Sequence, residues 1–219
     1  MPQGVEAHAA IVQRGERIVS YPVSFEADYV ERRDRLTALF RLILAIPVMI
    51  LLSLYTIIAS VLVVISWFAI VITTRYPRDW YDFVAGYVRF AARVNSYMSL
   101  VCDPYPPLDR GPDPQYPIRM EFAGPLERYS RPKTFFRWII EIPVLLLRYA
   151  MALLIEIGAV AAWFVILVTG KLPRGLFDLL VLGNSYTARS DAYIFLLTET
   201  YPPFQDEQTR TAGMESASP

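Results

Sequence analysis

Three charged side chains interrupt an otherwise apolar stretch, WIIEIPVLLLRYAMALLIEIGAVAAWFVILVT at residues 138–169: Glu141, Arg148 and Glu156. Spacings of seven and eight place all three within one helical stripe about 100° wide. A charge near the centre of a bilayer costs about 2.5–3.5 kcal/mol on insertion scales, so such a stripe must face protein or water and find partners. Two uses fit the pattern. Arg148 and Glu156 could line a polar pocket or ion path, or meet a lipid headgroup; the favoured reading is structural, with the charges paired with each other or with a second subunit, or lying at a shallower depth. An earlier apolar run, residues 42–74, carries Ala45, Leu52 and Ser60 at the corresponding places and no charge at all.

Little else in the chain offers chemistry. With one cysteine and one histidine, the 219 residues hold no disulfide framework and no His/Cys zinc set. His8 precedes the first apolar run by about thirty residues, which makes it a poor triad base. No Gly-rich phosphate loop or serine nucleophile elbow is visible. This reading assigns no catalytic, cofactor or metal residues and expects no enzyme and no cofactor. Cys102 reads as a buried thiol, with palmitoylation as the alternative.

The elements that hold these residues follow from composition and periodicity. Hydrophobic residues make up 54%, charged residues 19%, and mean hydropathy is +0.33, too apolar for an ordinary soluble domain of this size. Lys+Arg and Asp+Glu balance at 21 each, which gives no sign of nucleic-acid binding. The first residues lack the apolar core of a signal peptide. Residues 42–74 exceed the roughly 18 apolar residues that signal a membrane helix. Pro47 is expected to divide the run into an interfacial helix over 32–46 and a spanning helix over 47–73. A re-entrant hairpin is the second choice.

A repeat organises the chain. With a shift of 96 residues, Phe40-Arg41 falls on Phe136-Arg137, Ile46-Pro47-Val48 on Ile142-Pro143-Val144, and Trp67-Phe68 on Trp163-Phe164. Asp82 then meets Asp178, Arg93 meets Arg189, and Tyr97 meets Tyr193. The copies open with YPVSFE and YPIRME, and close with YPPL and YPPF. The chain is a tandem duplication. The expected layout is a flexible tail 1–20, repeat one 21–108, a linker 109–115, repeat two 116–204, and a disordered tail 205–219.

Each copy starts with a short extended segment, and the two could pair. Each apolar helix then meets a corner phrase, TRYPRDWYD at 74–82 or GKLPRGLFD at 170–178. Pro77 and Pro173 should stop one helix and start the next. Arg78–Asp82 and Arg174–Asp178, four residues apart, are within reach of ion pairs. The helix after the first corner, 80–101, has an apolar stripe of Val84, Tyr87, Val88, Ala91, Val94, Met98 and Val101. Asp82, Arg89, Arg93 and Ser96 lie opposite, a pattern for a helix lying in the interface or packing along the spanning helix. Its counterpart at 176–197 is more apolar and could itself cross. Arginine clusters at 32–41 and 128–137 read as contacts to anionic lipid headgroups, and do not choose an orientation.

TGKLPRGLFD at 169–178 and LLTETYPPF at 196–204 resemble the signature of domain-of-unknown-function family 4389, over about residues 21–204. The first copy departs from it at Thr74, Asp79 and Trp80. The resemblance implies a bacterial, multi-pass protein of the cell (inner) membrane and transfers no site residues. The fold class expected is mainly α: an integral membrane helical protein of two homologous repeats, each with a long apolar helix, an amphipathic helix and a preceding extended segment. One crossing per repeat would make the copies inverted, and two would make them parallel. The roles left are a scaffold or accessory subunit, self-associating or joined to a membrane-protein partner, a small transport or lipid-handling protein, or a membrane enzyme.

Overall fold

A computed structural model describes residues 21–204; the expected tails 1–20, with His8, and 205–219 lie outside them. Strand β1 (Val23–Ala27) leads to helix α1 (Arg35–Thr73), which Asp34 caps by accepting from the Leu36 amide and the Thr37 hydroxyl. Pro47 does not divide this helix. A proline removes one backbone bond, but the buried stripe Ala38, Arg41, Ala45, Val48 runs straight past it, so tertiary packing on both sides keeps one axis. Helix α2 (Arg78–Met98), strand β2 (Ile118–Phe122), the short α3 (Arg131–Phe135), then α4 (Arg137–Thr169) and α5 (Arg174–Ile194) complete the chain. Pro143 likewise sits inside α4 between buried Glu141 and Val144.

The duplication is visible in the contacts. Trp67 Nε1 donates to the Thr134 carbonyl at 2.9 Å, and Trp163 Nε1 donates to the Ala38 carbonyl at 3.2 Å. Each end of α1 therefore lies beside the opposite end of α4, so these helices run antiparallel. The Arg33 amide bonds Gly170 O and the Tyr129 amide bonds Thr74 O, again in the register of 96 residues. Such reciprocity defines a pseudo-two-fold axis through the middle of the α1/α4 pair. The two extended segments do pair, antiparallel, with Phe25 opposite Met120 at the ribbon's centre. Three layers stack along this axis: α1 with α4, then α2 with α5, then the ribbon, β1 against α5 and β2 against α2.

The middle layer departs from the amphipathic expectation. Its apolar stripe is buried apart from the half-buried Met98, but so are Arg93 and Ser96 on the supposed outer face. Arg93 donates to Asp109 O and Gly111 O, and Arg89 to Arg110 O and Met120 O. The expected linker 109–115 thus packs on α2, satisfying guanidinium groups with backbone carbonyls. Helix α5 is buried without interruption from Gly183 to Tyr193, so it is a core helix with no exposed side over that stretch. The outer layer is the opposite. Both α1 and α4 are long and apolar enough to cross a membrane, yet only 11% and 17% of their most apolar windows are buried.

Candidate functional site

The corner motif builds as its residues suggest. Pro77 and Pro173 are the N-caps of α2 and α5, and the preceding helices end at Thr74 and Gly170 with φ of 62° and 72°. Glycine accepts this left-handed conformation freely, whereas threonine is strained there. Arg174 pairs with Asp178 at 3.3 Å and its guanidinium lies over the Tyr29 ring. Arg78 and Asp82 form no such pair within 4 Å. The residue in register with Tyr29 is Pro125, which offers no ring to hold Arg78 in place.

The three charges of the polar stripe separate into three settings. Glu141 is buried and pairs with Arg137 at 3.2 Å. Arg137 also donates to Tyr193 O and Thr198 O and lies over the Tyr193 ring. Arg148 reaches across to α5 and pairs with Asp191 at 2.9 Å. Glu156 is exposed and makes no ion pair within 4 Å. The stripe is therefore not one network; its first two members find partners that the sequence reading did not name. Asp191 was missed because it sits in a helix read as a possible crossing; its register mate, Asn95, already marks that position as polar.

Arg148 and Glu156 still share a cavity of about 590 Å³ lined by α4, the C-terminal end of α2, and α5, with Met49 as the α1 contribution. Met49, Ile155 and Val160 give it apolar walls, and Ser99, Asn184 and Thr187 give it polar groups. Asn184 Nδ2 donates to Ser99 Oγ at 2.9 Å and to Leu180 O. Burial pushes the Asp191 carboxyl above its ordinary range, with Arg148 pulling the other way.

The arginine clusters divide between inside and outside, and Arg33, Arg41 and Arg137 are buried against backbone carbonyls, which corrects the headgroup expectation for these three. Arg41 donates to Tyr97 O and Cys102 O, pairs with Asp103 at 2.7 Å, and is the register mate of Arg137. Arg33 donates to Val101 O at 2.6 Å. Arg32, Arg35, Arg128 and Arg131 remain exposed. Cys102 is buried beside the Tyr116 hydroxyl, and burial pushes its thiol up to about 11. That setting leaves little thiolate and no access for acylation.

A family model described as a domain of unknown function (DUF4389) matches the chain twice, over residues 35–108 and 131–205. The two matches begin 96 residues apart, the register of the reciprocal contacts. No curated protein and no solved structure matches the chain.

Proposed function

Since the chain belongs to the DUF4389 family, whose description assigns no activity, we propose from its geometry that it is a non-enzymatic membrane-embedded protein, a scaffold or accessory subunit. One observation carries this: the outer sides of α1 and α4 are apolar and uncovered. Leu42, Ile50, Ile57 and Ile72 on α1 are each at least 63% exposed, and Leu146, Ile157 and Val168 on α4 at least 71%. Full burial of one such side chain is worth about 1.5–3 kcal/mol, so a surface this continuous requires an apolar neighbour. Lipid supplies one without a second protein. The non-enzymatic part is supported by the commitment of the buried charges to structural partners: Glu141 to Arg137, Asp191 to Arg148, Arg41 to Asp103. The exposed arginines at the helix ends would meet anionic headgroups.

The test is co-flotation of the purified chain with phospholipid vesicles after an alkaline wash. Retention on the vesicles supports the reading; protein left in the soluble fraction as a monodisperse species rejects it.

A second reading, lipid handling, is favoured by the cavity lined by α2, α4 and α5, whose apolar walls and polar groups suit a small amphipathic molecule. Its test is the mass of lipid that stays with the chain through detergent purification, compared between the native protein and Glu156→Leu.

A further inference from the structure

We infer that α1 and α4 lie along the plane of the membrane, in one leaflet, with the pseudo-two-fold axis along the membrane normal and the β-ribbon in water. This rests on the membrane reading above and replaces crossing helices with a one-sided, monotopic arrangement.

Tyr55 sits close to the midpoint of the α1/α4 pair, and its ring meets Phe83 and Phe90 of α2. Arg89, beside Phe90, donates to the carbonyl of Met120 at the centre of β2. The ribbon therefore lies over the middle of the long helices, displaced sideways and not toward either end. If α1 and α4 stood upright, the ribbon would be held at the depth of the bilayer centre.

The ribbon cannot live there. Among the described residues it is two strands with open edges, and open sheet edges do not occur in lipid-exposed hydrocarbon because their backbone groups have no partners. Arg119 pairs with Asp28 at 2.7 Å and with Glu26 at 3.2 Å, and both acids are about half exposed. Asp82, Asp109 and Arg110 border a cavity of about 620 Å³ on the same flank. Arg110 itself lies 4.9 Å from the centre of the Tyr55 ring. Charges at that depth would each cost several kcal/mol.

Length gives the same answer. At about 1.5 Å per residue, α1 is roughly 58 Å long, nearly twice a hydrocarbon core of about 30 Å. Fitting it across would need a tilt of about 60°, outside the observed range of about 0–40°. Laid flat, a helix about 10 Å wide fits within one leaflet. The acyl chains of that leaflet then cover the outer faces of α1 and α4, while exposed Arg32, Arg35, Arg128 and Arg131 reach headgroups at both ends.

Leu36, Leu54 and Ile72 test this directly. They are eighteen residues apart, five full turns, and so share one face of α1, opposite its buried stripe. Single cysteines at these positions, and at Glu26 on the ribbon, would be placed in the full chain with Cys102→Ser. Each would carry a nitroxide, with the protein in vesicles of zwitterionic and anionic phospholipid. Collisions with oxygen and with a water-soluble nickel chelate then report depth. The expected result is three depths within about 5 Å of one another, against the roughly 15 Å that separates a bilayer centre from its edges, and a fully aqueous Glu26 site. Leu54 deep, with Leu36 and Ile72 shallow and accessible from opposite sides, overturns the inference but leaves the membrane reading standing. Protein that floats with vesicles while all three α1 sites are shielded from oxygen also overturns it, and assigns the face to a second copy. Failure to float rejects both readings.

Discussion

Arg41 and Arg137, ninety-six residues apart, hold equivalent positions: each guanidinium spans one carbonyl in the last turn of the next long helix and one just past it, and lies over that helix's last tyrosine. For Arg41 these are Tyr97 O, Cys102 O and the Tyr97 ring; for Arg137 they are Tyr193 O, Thr198 O and the Tyr193 ring. The orphan carbonyls at a helix C-terminus are thus satisfied by a planar fork from another helix. This ties α1 to α2 and α4 to α5 at the ends remote from the corners.

Arg137→Ala is therefore expected to cost about 3–5 kcal/mol, because it also strands the buried Glu141 carboxylate. Arg137→Met with Glu141→Leu should recover most of that loss. Denaturant midpoints in detergent, compared around the double-mutant cycle, check both.

The corners predict an asymmetry between the copies. Thr74 and Gly170 adopt nearly the same left-handed φ, 62° and 72°. A non-glycine residue pays roughly 1–2 kcal/mol in this region, part of which glycine gives back through unfolded-chain entropy. Thr74→Gly should raise stability by about 0.5–1 kcal/mol. Gly170→Ala should lower it, since a Cβ there would also sit 3.1 Å from Arg35 Nε. Thermal midpoints of the two variants should move in opposite directions.

Much of this architecture was legible in the sequence because duplicated residues carry backbone roles. The prolines at 77 and 173 cap helices, and the tryptophans at 67 and 163 tie the copies together. What stayed hidden is tertiary. Pro47 looks like a break until the packing stripe on both sides of it is seen. Arg93 and Ser96 look solvated because nothing in their spacing announces that residues 109–111 fold back over them. Asp191 could not be matched to Arg148 from spacing, since the two residues lie 43 apart in sequence on different helices.

Close packing of α4 on α5 depends on two glycines. A Cβ on Gly183 would meet Ile155 Cγ1 at 2.6 Å, and one on Gly158 would meet Leu180 Cδ2 at 2.9 Å. Gly183→Val should destabilise by about 1–3 kcal/mol through overpacking. Gly158→Ala should cost less, because leucine ends can turn aside. Because Arg148–Asp191 bridges the same helices, Gly183→Val should also loosen that pair. The distance between nitroxides at positions 148 and 191 would be the wrong probe, as it removes both charges; labels at Ile157 and Leu179 report the helix separation directly.

Cys102 should behave as an inert core thiol. With its pKa pushed up to about 11 by burial, it carries little thiolate at pH 8. Alkylation by a maleimide is expected only after denaturation. Modification of the folded protein within minutes would place the loop after α2 in an open state.

The ribbon supplies a pH dependence with a defined sign. The Arg119 guanidinium, hydrogen-bonded to Asp28 at 2.7 and 2.8 Å, holds that carboxyl below its ordinary range. A carboxyl whose folded value is depressed stabilises the fold above its unfolded value, about 3.9, and loses that contribution as pH falls through the folded value. Exposure limits the effect to about 1 kcal/mol or less. The stability difference between the native chain and Arg119→Gln should therefore be flat near neutral pH and shrink toward zero below about pH 4. A direct titration of the Asp28 carboxyl by NMR should move upward in Arg119→Gln, since the hydrogen bonds that favour its charged form are gone.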